Sequence, residues 1–176
     1  LLVFLFLVGS IVLAFRKPWL GVLALAVFNH MAPHRFTWGF MLNFPVYQIL
    51  FVAVAAATLM KWSERQPLPR DWRIPTFFFL WSFFLVTTLD AEVPRYAWEQ
   101  FEKVSKIYLP FIFMLWLIDT REKLYYFIAT LTASLGLIAV KGGLFAIATG
   151  FNYRVYGPSK TQLGGNNEFA IAALMI

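Results

Sequence analysis

Residues 124–147, with the sequence LYYFIATLTASLGLIAVKGGLFAI, form the longest apolar run of the chain and contain no charged residue before Lys141. At a rise of 1.5 Å per residue, a helix of this length is about 36 Å long, whereas the hydrocarbon core of a bilayer is roughly 30 Å thick. This run therefore predicts a helix that crosses a membrane.

Further apolar runs precede and follow this one. They cover residues 1–15, 19–28, 45–60, 74–89 and 107–118, and another begins at residue 169. The runs at 19–28 and 107–118 are short for a span unless neighbouring residues extend them. The pattern predicts an all-α fold, a polytopic transmembrane helix bundle of about six spans plus a truncated seventh. We expect it to form a single transmembrane domain over residues 1–176.

The composition agrees with a membrane protein and argues against other classes. Hydrophobic residues make up 60% of the chain and charged residues 14%. A soluble domain has too little interior to hide this much apolar surface. The net charge of +6 comes from short clusters of Lys and Arg between apolar runs, a pattern typical of membrane orientation rather than nucleic-acid binding. The chain has no Cys, which excludes disulfides and thiolate metal sites.

The loops between the runs predict the orientation. Loops at residues 16–18, 61–73 and 119–123 carry slightly more Lys and Arg than loops at 29–44, 90–106 and 148–168. The positive-inside rule places the first set in the cytoplasm. The second set contains nearly all the unusual polar residues, so we expect these to lie on the outer face.

Two segments of the second set contain basic residues with more than one interpretation. Residues 90–106 predict an amphipathic helix on the membrane surface, with Glu102 and Lys106 one turn apart. Lys103 and Lys106 either pair with the acidic side chains one turn earlier, Glu99 and Glu102, or reach a phosphate. Residues 29–35 place His30, His34 and Arg35 beside a proline. The two histidines could hold a metal. Alternatively, these residues contact an anion or complete the hydrogen bonds of a broken helix end.

Lys141 and the loop that follows it also allow alternatives. Lys141 either extends to the far interface or, with the two glycines after it, faces a ligand. Residues 150–168 are rich in glycine and contain Arg154 and Lys160. A new helix is predicted to start near residues 166–168, and its free N–H groups with these two cations would suit a phosphate or diphosphate. The alternative is an ordinary polar loop with an Asn cap.

Five sequence motifs carry a family resemblance that extends over nearly the whole chain. They are RKPWLG at 16–21, PHR at 33–35 with WGF at 38–40, AWEQ at 97–100 with Lys103 and Lys106, VKGGLF at 140–145, and YRVYGP at 153–158 leading to Asn166 and Asn167. In this order they resemble the amino-terminal half of the O-antigen ligase/polymerase superfamily. Within it, the chain is most similar to the O-glycosylation ligases associated with exosortase A systems.

The resemblance implies a membrane glycosyltransferase. Such an enzyme transfers a glycan from a polyprenyl-diphosphate carrier to a lipid-core or protein hydroxyl, on the periplasmic face of the bacterial inner membrane, without metal or other cofactor. The resemblance assigns Arg154, Gly157 and Asn167 to its outward-facing motif. Our hypothesis for diphosphate binding adds Lys160, Asn166, Lys103 and Lys106.

Two expectations limit what this chain does alone. The catalytic His of the family is expected downstream of residue 176, so we expect an amino-terminal part of a larger enzyme, inactive by itself. The family often has an acidic residue before the Asn pair, where this chain has Gly164 and Gly165. The alternative function is a transporter or flippase for a lipid-linked or anionic solute, for which inverted repeats with broken helices would be the sign.

Overall fold

The computed structural model of the chain describes residues 1–64, 67, 70–158, 161 and 163–174. These residues form α-helices and short 3-10 turns and contain no β-strand. The α-helices are α1 (Leu2–Arg16), α2 (Pro18–His30), α3 (Val46–Met60), α4 (Arg73–Leu89), α5 (Pro94–Leu117), α6 (Arg121–Ala148) and α7 (Asn166–Leu174). The 3-10 turns cover Pro33–Phe36, Gly39–Asn43 and Trp62–Glu64. The predicted all-α fold is confirmed.

By length and composition, α6 alone among the described helices would reach across a membrane. It contains the apolar run of residues 124–147, and it begins at Arg121 after Thr120, whose hydroxyl accepts a hydrogen bond from the Lys123 N–H. Helices α1 to α4 are apolar but shorter, with 13 to 17 residues. A bundle of several spans therefore stays a prediction.

The core lies where α2 packs between α1, α3, α5 and α6. Leu7, Leu25, Phe28 and Leu50 are among its most buried side chains. Gly21 lets α2 approach its neighbours closely, because a Cβ there would lie 2.6 Å from Val54 and 2.8 Å from Ala14. At one end of this bundle, Lys61 donates a 2.7 Å hydrogen bond to the carbonyl oxygen of Arg16, so two of the basic loops meet there.

Large apolar side chains cover the outward faces of the bundle. Examples are Phe4, Leu5 and Phe6 on α1, Phe79, Phe83 and Val86 on α4, and Leu137, Leu144 and Ile147 on α6. Contiguous apolar surface of this extent is rare on soluble monomers and marks contact with a membrane or another protein.

Most of the segment predicted to form an amphipathic surface helix, residues 90–106, is helical in the structure, from Pro94 onward. The structure joins this segment to the following apolar run in one continuous helix, α5. Pro110 lies inside α5 and has no N–H to donate to the carbonyl of Lys106, one turn earlier. Tyr47 of α3 donates its hydroxyl to this carbonyl at 2.9 Å. A contact between helices thus replaces the missing bond, and the helix continues.

Candidate anion-binding site

The chain reverses direction after α2 in a short turn that carries Arg35. Ala32 takes a left-handed backbone conformation with φ 46°, and the 3-10 turn Pro33–Phe36 follows. Arg35 donates from Nη1 to the carbonyl oxygen of Leu42 at 2.9 Å. This bond holds the guanidinium between two cavities, both of which Arg35 lines.

The first cavity, which we call the arginine cavity, has a volume of about 350 Å³. It lies between the Pro33–Phe36 turn, the second half of α6 and the segment 154–158. Three cations line it: Arg35, Lys141 and Arg154. The rest of its described lining is Phe36, Ile138, Gly142, Phe145, Val155, Tyr156, Gly157 and Pro158. None of these lining residues is acidic, so the cavity favours an anion.

Two glycines allow the segment with Arg154 to lie against α6 and α7. A Cβ on Gly157 would overlap the carbonyl oxygen of Leu163, which is backbone and cannot easily move aside. A Cβ on Gly142 would lie 2.7 Å from Val155 and 3.2 Å from Phe169. Close packing at these two positions brings Arg154 to the same cavity as Lys141.

Lys141 is also directed to this cavity by an aromatic contact. Its Nζ lies 3.8 Å from the ring centroid of Phe36, a cation–π geometry. This contact joins α6 to the turn that carries Arg35.

The second cavity, which we call the lysine cavity, has a volume of about 200 Å³ and lies between the end of α2, the start of α3 and α5. Lys103, Lys106 and Arg35 supply its positive charge. Its other described lining residues are Phe28, Asn29, Ala32, His34, Asn43, Phe44, Pro45, Val46, Tyr47, Gln48 and Thr161. Lys106 also forms the predicted ion pair with Glu102, at 2.6 Å.

His34 is the most unusual group of the lysine cavity. It is only 8% exposed, and its Nδ1 has no hydrogen-bond partner among the described residues. Burial, and to a lesser extent the neighbouring Arg35 charge, lower the pKa of His34 below its ordinary value. The imidazole is therefore mostly neutral at pH 7.

His30 has a different role from His34. Its Nδ1 lies 2.8 Å from the carbonyl oxygen of Ala26, so its ring contacts the preceding turn of its own helix, α2. In the part of the chain that the structure describes, no group of three or more His, Cys, Asp or Glu residues could hold a metal ion.

The structure divides the predicted diphosphate-binding residues. Arg154 and Gly157 line the arginine cavity, and Lys103 and Lys106 line the lysine cavity. Asn166 and Asn167 begin α7, where a helix start was predicted, but they line neither cavity. Lys160 lies outside the described residues.

Sequence reasoning left two cations out of this set, Arg35 and Lys141. Both lie beside a helix breaker, since Pro33 precedes Arg35 and two glycines follow Lys141. This shared local signal could have added them. Arg35 is the residue that the two cavities have in common.

These two basic cavities at one end of an all-helical bundle define the site. The chain belongs to a family of unknown function, DUF5935, which matches residues 1–174. No curated protein and no solved structure matches the chain.

Proposed function

We propose that this chain is the donor-binding part of a multi-pass glycosyltransferase in the bacterial inner membrane, similar to the O-antigen ligases. The enzyme transfers a glycan from a polyprenyl-diphosphate carrier to a hydroxyl group of a lipid core or a protein. The observation that carries this proposal is the convergence of Arg35, Lys141 and Arg154 on one partly apolar cavity.

The charge of this cavity suits the chemistry of the donor. When the bond between glycan and diphosphate breaks, negative charge develops on the leaving diphosphate, and fixed cations stabilise that charge. Arginine offers a planar fork of donors to phosphate oxygens, and lysine adds a compact charge. Among the described residues, Arg35, Lys141 and Arg154 form no ion pair with a carboxylate. Their charge is therefore available to a ligand.

The apolar surface of the bundle supports the membrane part of the proposal. A polyprenyl carrier keeps its chain in the bilayer, so the enzyme must present the cavity close to lipid. The exposed apolar side chains of α1, α4 and α6 provide a surface that lipid would cover. Helices α1 to α4 are shorter than the roughly 20 residues of a standard span, and bilayers accommodate short spans by local thinning.

The proposal assigns no catalytic base to the described residues. The resemblance places the family's His outside this chain, and it implies no metal or other cofactor. The residues described here bind and orient the diphosphate and stabilise the charge that it gains.

The test uses the full-length protein that contains this chain, reconstituted with a lipid-linked glycan and an acceptor. We expect Arg154→Ala to lower glycan transfer about a hundredfold, as when one main electrostatic donor is lost. Arg121→Ala is the matched control, because Arg121 is an exposed arginine at the other end of α6. Normal transfer by Arg154→Ala at an equal membrane level would contradict the proposal. Movement of the lipid-linked glycan across the bilayer without transfer would favour a flippase.

A further inference from the structure

An apolar groove of about 280 Å³ lies between α3 and α5, next to the lysine cavity. The groove and the cavity share Tyr47, Gln48 and Lys106. Phe51 and Val52 of α3 and Leu109 of α5 extend the groove away from the cavity. These three residues lie about one helical turn closer to the opposite end of the bundle.

We propose that the lysine cavity and this groove together bind one anionic membrane phospholipid, with the phosphate in the cavity and an acyl chain along the groove. The proposal goes beyond the glycosyltransferase function and does not depend on it, because the diphosphate of the carrier is assigned to the arginine cavity.

The lysine cavity has the features of a built phosphate site. Lys103, Lys106 and Arg35 reach it from two separate parts of the chain, and none of its described lining residues is acidic. Buried polar groups nearly always have hydrogen-bond partners, yet Nδ1 of His34 has none among the described residues. His34 thus leaves one ring nitrogen, unsatisfied by any described residue, in the wall of the cavity.

The groove explains why the ligand is a lipid rather than a free phosphate. Its surface is almost entirely apolar, and Glu102, which also lines it, is paired with Lys106. Val52 is 65% exposed, so the groove is open to the side of the bundle. A chain in the bilayer can therefore enter it laterally while the phosphate stays with the lysines.

One variant tests the binding of the phosphate, and a second variant tests the binding of the acyl chain. The double change Lys103→Gln with Lys106→Gln removes two of the three cations that line the cavity and leaves Arg35. The change Val52→Trp fills the groove at an exposed position, where it does not disturb the core. The matched controls are Arg121→Gln for charge and Val86→Trp, at an exposed position of α4, for bulk.

The experiment measures how much phosphatidylglycerol and phosphatidylcholine the full-length protein retains in a neutral detergent, by native mass spectrometry. We expect the wild type to prefer phosphatidylglycerol. The cavity variant should reduce its retention about thirtyfold, as the loss of two cations predicts, and the groove variant should reduce it because the acyl chain loses its place. The controls should retain it fully.

Three results would overturn the proposal. The first is equal retention of both phospholipids by the wild type. The second is displacement of phosphatidylglycerol by inorganic phosphate together with normal retention by Val52→Trp, which would indicate a free anion site. The third is tighter binding of undecaprenyl phosphate than of phosphatidylglycerol at the same residues, which would assign the site to the carrier. Glycan transfer is measured separately, so failure here leaves the glycosyltransferase proposal intact.

Discussion

The hydroxyl of Tyr47 donates a 2.9 Å hydrogen bond to the carbonyl oxygen of Lys106, which Pro110 leaves without its usual partner in α5. The bond joins α3 to α5 at the wall that the lysine cavity shares with the apolar groove.

We expect Tyr47→Phe to destabilise the protein by about 1 kcal/mol, because a carbonyl in a partly buried place loses its donor. Pro110→Ala supplies an N–H one turn after Lys106, so this change should remove much of the effect of Tyr47→Phe. Thermal unfolding in detergent of the wild type, both single variants and the double variant measures this coupling. Tyr125→Phe, at an exposed position of α6, is the control. Additive effects of the two changes would contradict the explanation.

Gly157→Ala should disrupt the arginine cavity. The added methyl group would overlap the carbonyl oxygen of Leu163, so the segment that holds Arg154 must move. We expect glycan transfer by the full-length protein to fall at least about tenfold, since misplacing a contact group by one ångström is costly. Gly143→Ala is the matched control, because a Cβ there meets no atom within 4 Å. Equal loss in both variants would show that the effect is not specific to the cavity.

Lys141→Gln should weaken binding of a short prenyl diphosphate, such as farnesyl diphosphate, about tenfold, because a charge-assisted contact is lost. The remaining affinity should depend less on salt than that of the wild type, since one cation fewer is screened. Titration at two salt concentrations measures both effects. Lys17→Gln, an exposed lysine between α1 and α2, should leave affinity and salt dependence unchanged.

Acid should destabilise the protein through His34. Burial, followed by the charge of Arg35, lowers the pKa of His34 below its ordinary value of 6.5. Below pH 6.5 the unfolded chain therefore binds more protons than the folded one, and stability falls as pH falls from 6.5 toward the lower pKa of the folded state. Arg35, Lys103 and Lys106 line the same cavity as His34.

The unfolding temperature measured between about pH 8 and about pH 5 tests this effect. His34→Gln should flatten the acid slope, whereas His30→Gln should keep the part that His34 causes. A slope that is unchanged in His34→Gln would refute the assignment.

The local sequence predicted the features that depend on neighbouring residues. These include the helix over 124–147, the start of a helix at Asn166 and the pair of Glu102 with Lys106. It did not predict that α5 would continue without a break from Pro94 to Leu117, because the hydroxyl that makes Pro110 tolerable comes from Tyr47, in another helix. Nor did it predict that Arg35 and Lys141 would reach one cavity, since only the packing of α6 against the Pro33–Phe36 turn brings them together.

The shared position of Arg35 has a thermodynamic consequence. One guanidinium lines both cavities, and it already gives one of its N–H groups to Leu42. Any ligand that draws Arg35 toward one cavity changes the free energy of binding in the other. Thermodynamic linkage requires this effect to be reciprocal. The factor by which an anion in the lysine cavity changes the affinity of the arginine cavity equals the factor by which a ligand in the arginine cavity changes the affinity of the lysine cavity. If both cavities bind anions as proposed, this single side chain would couple them.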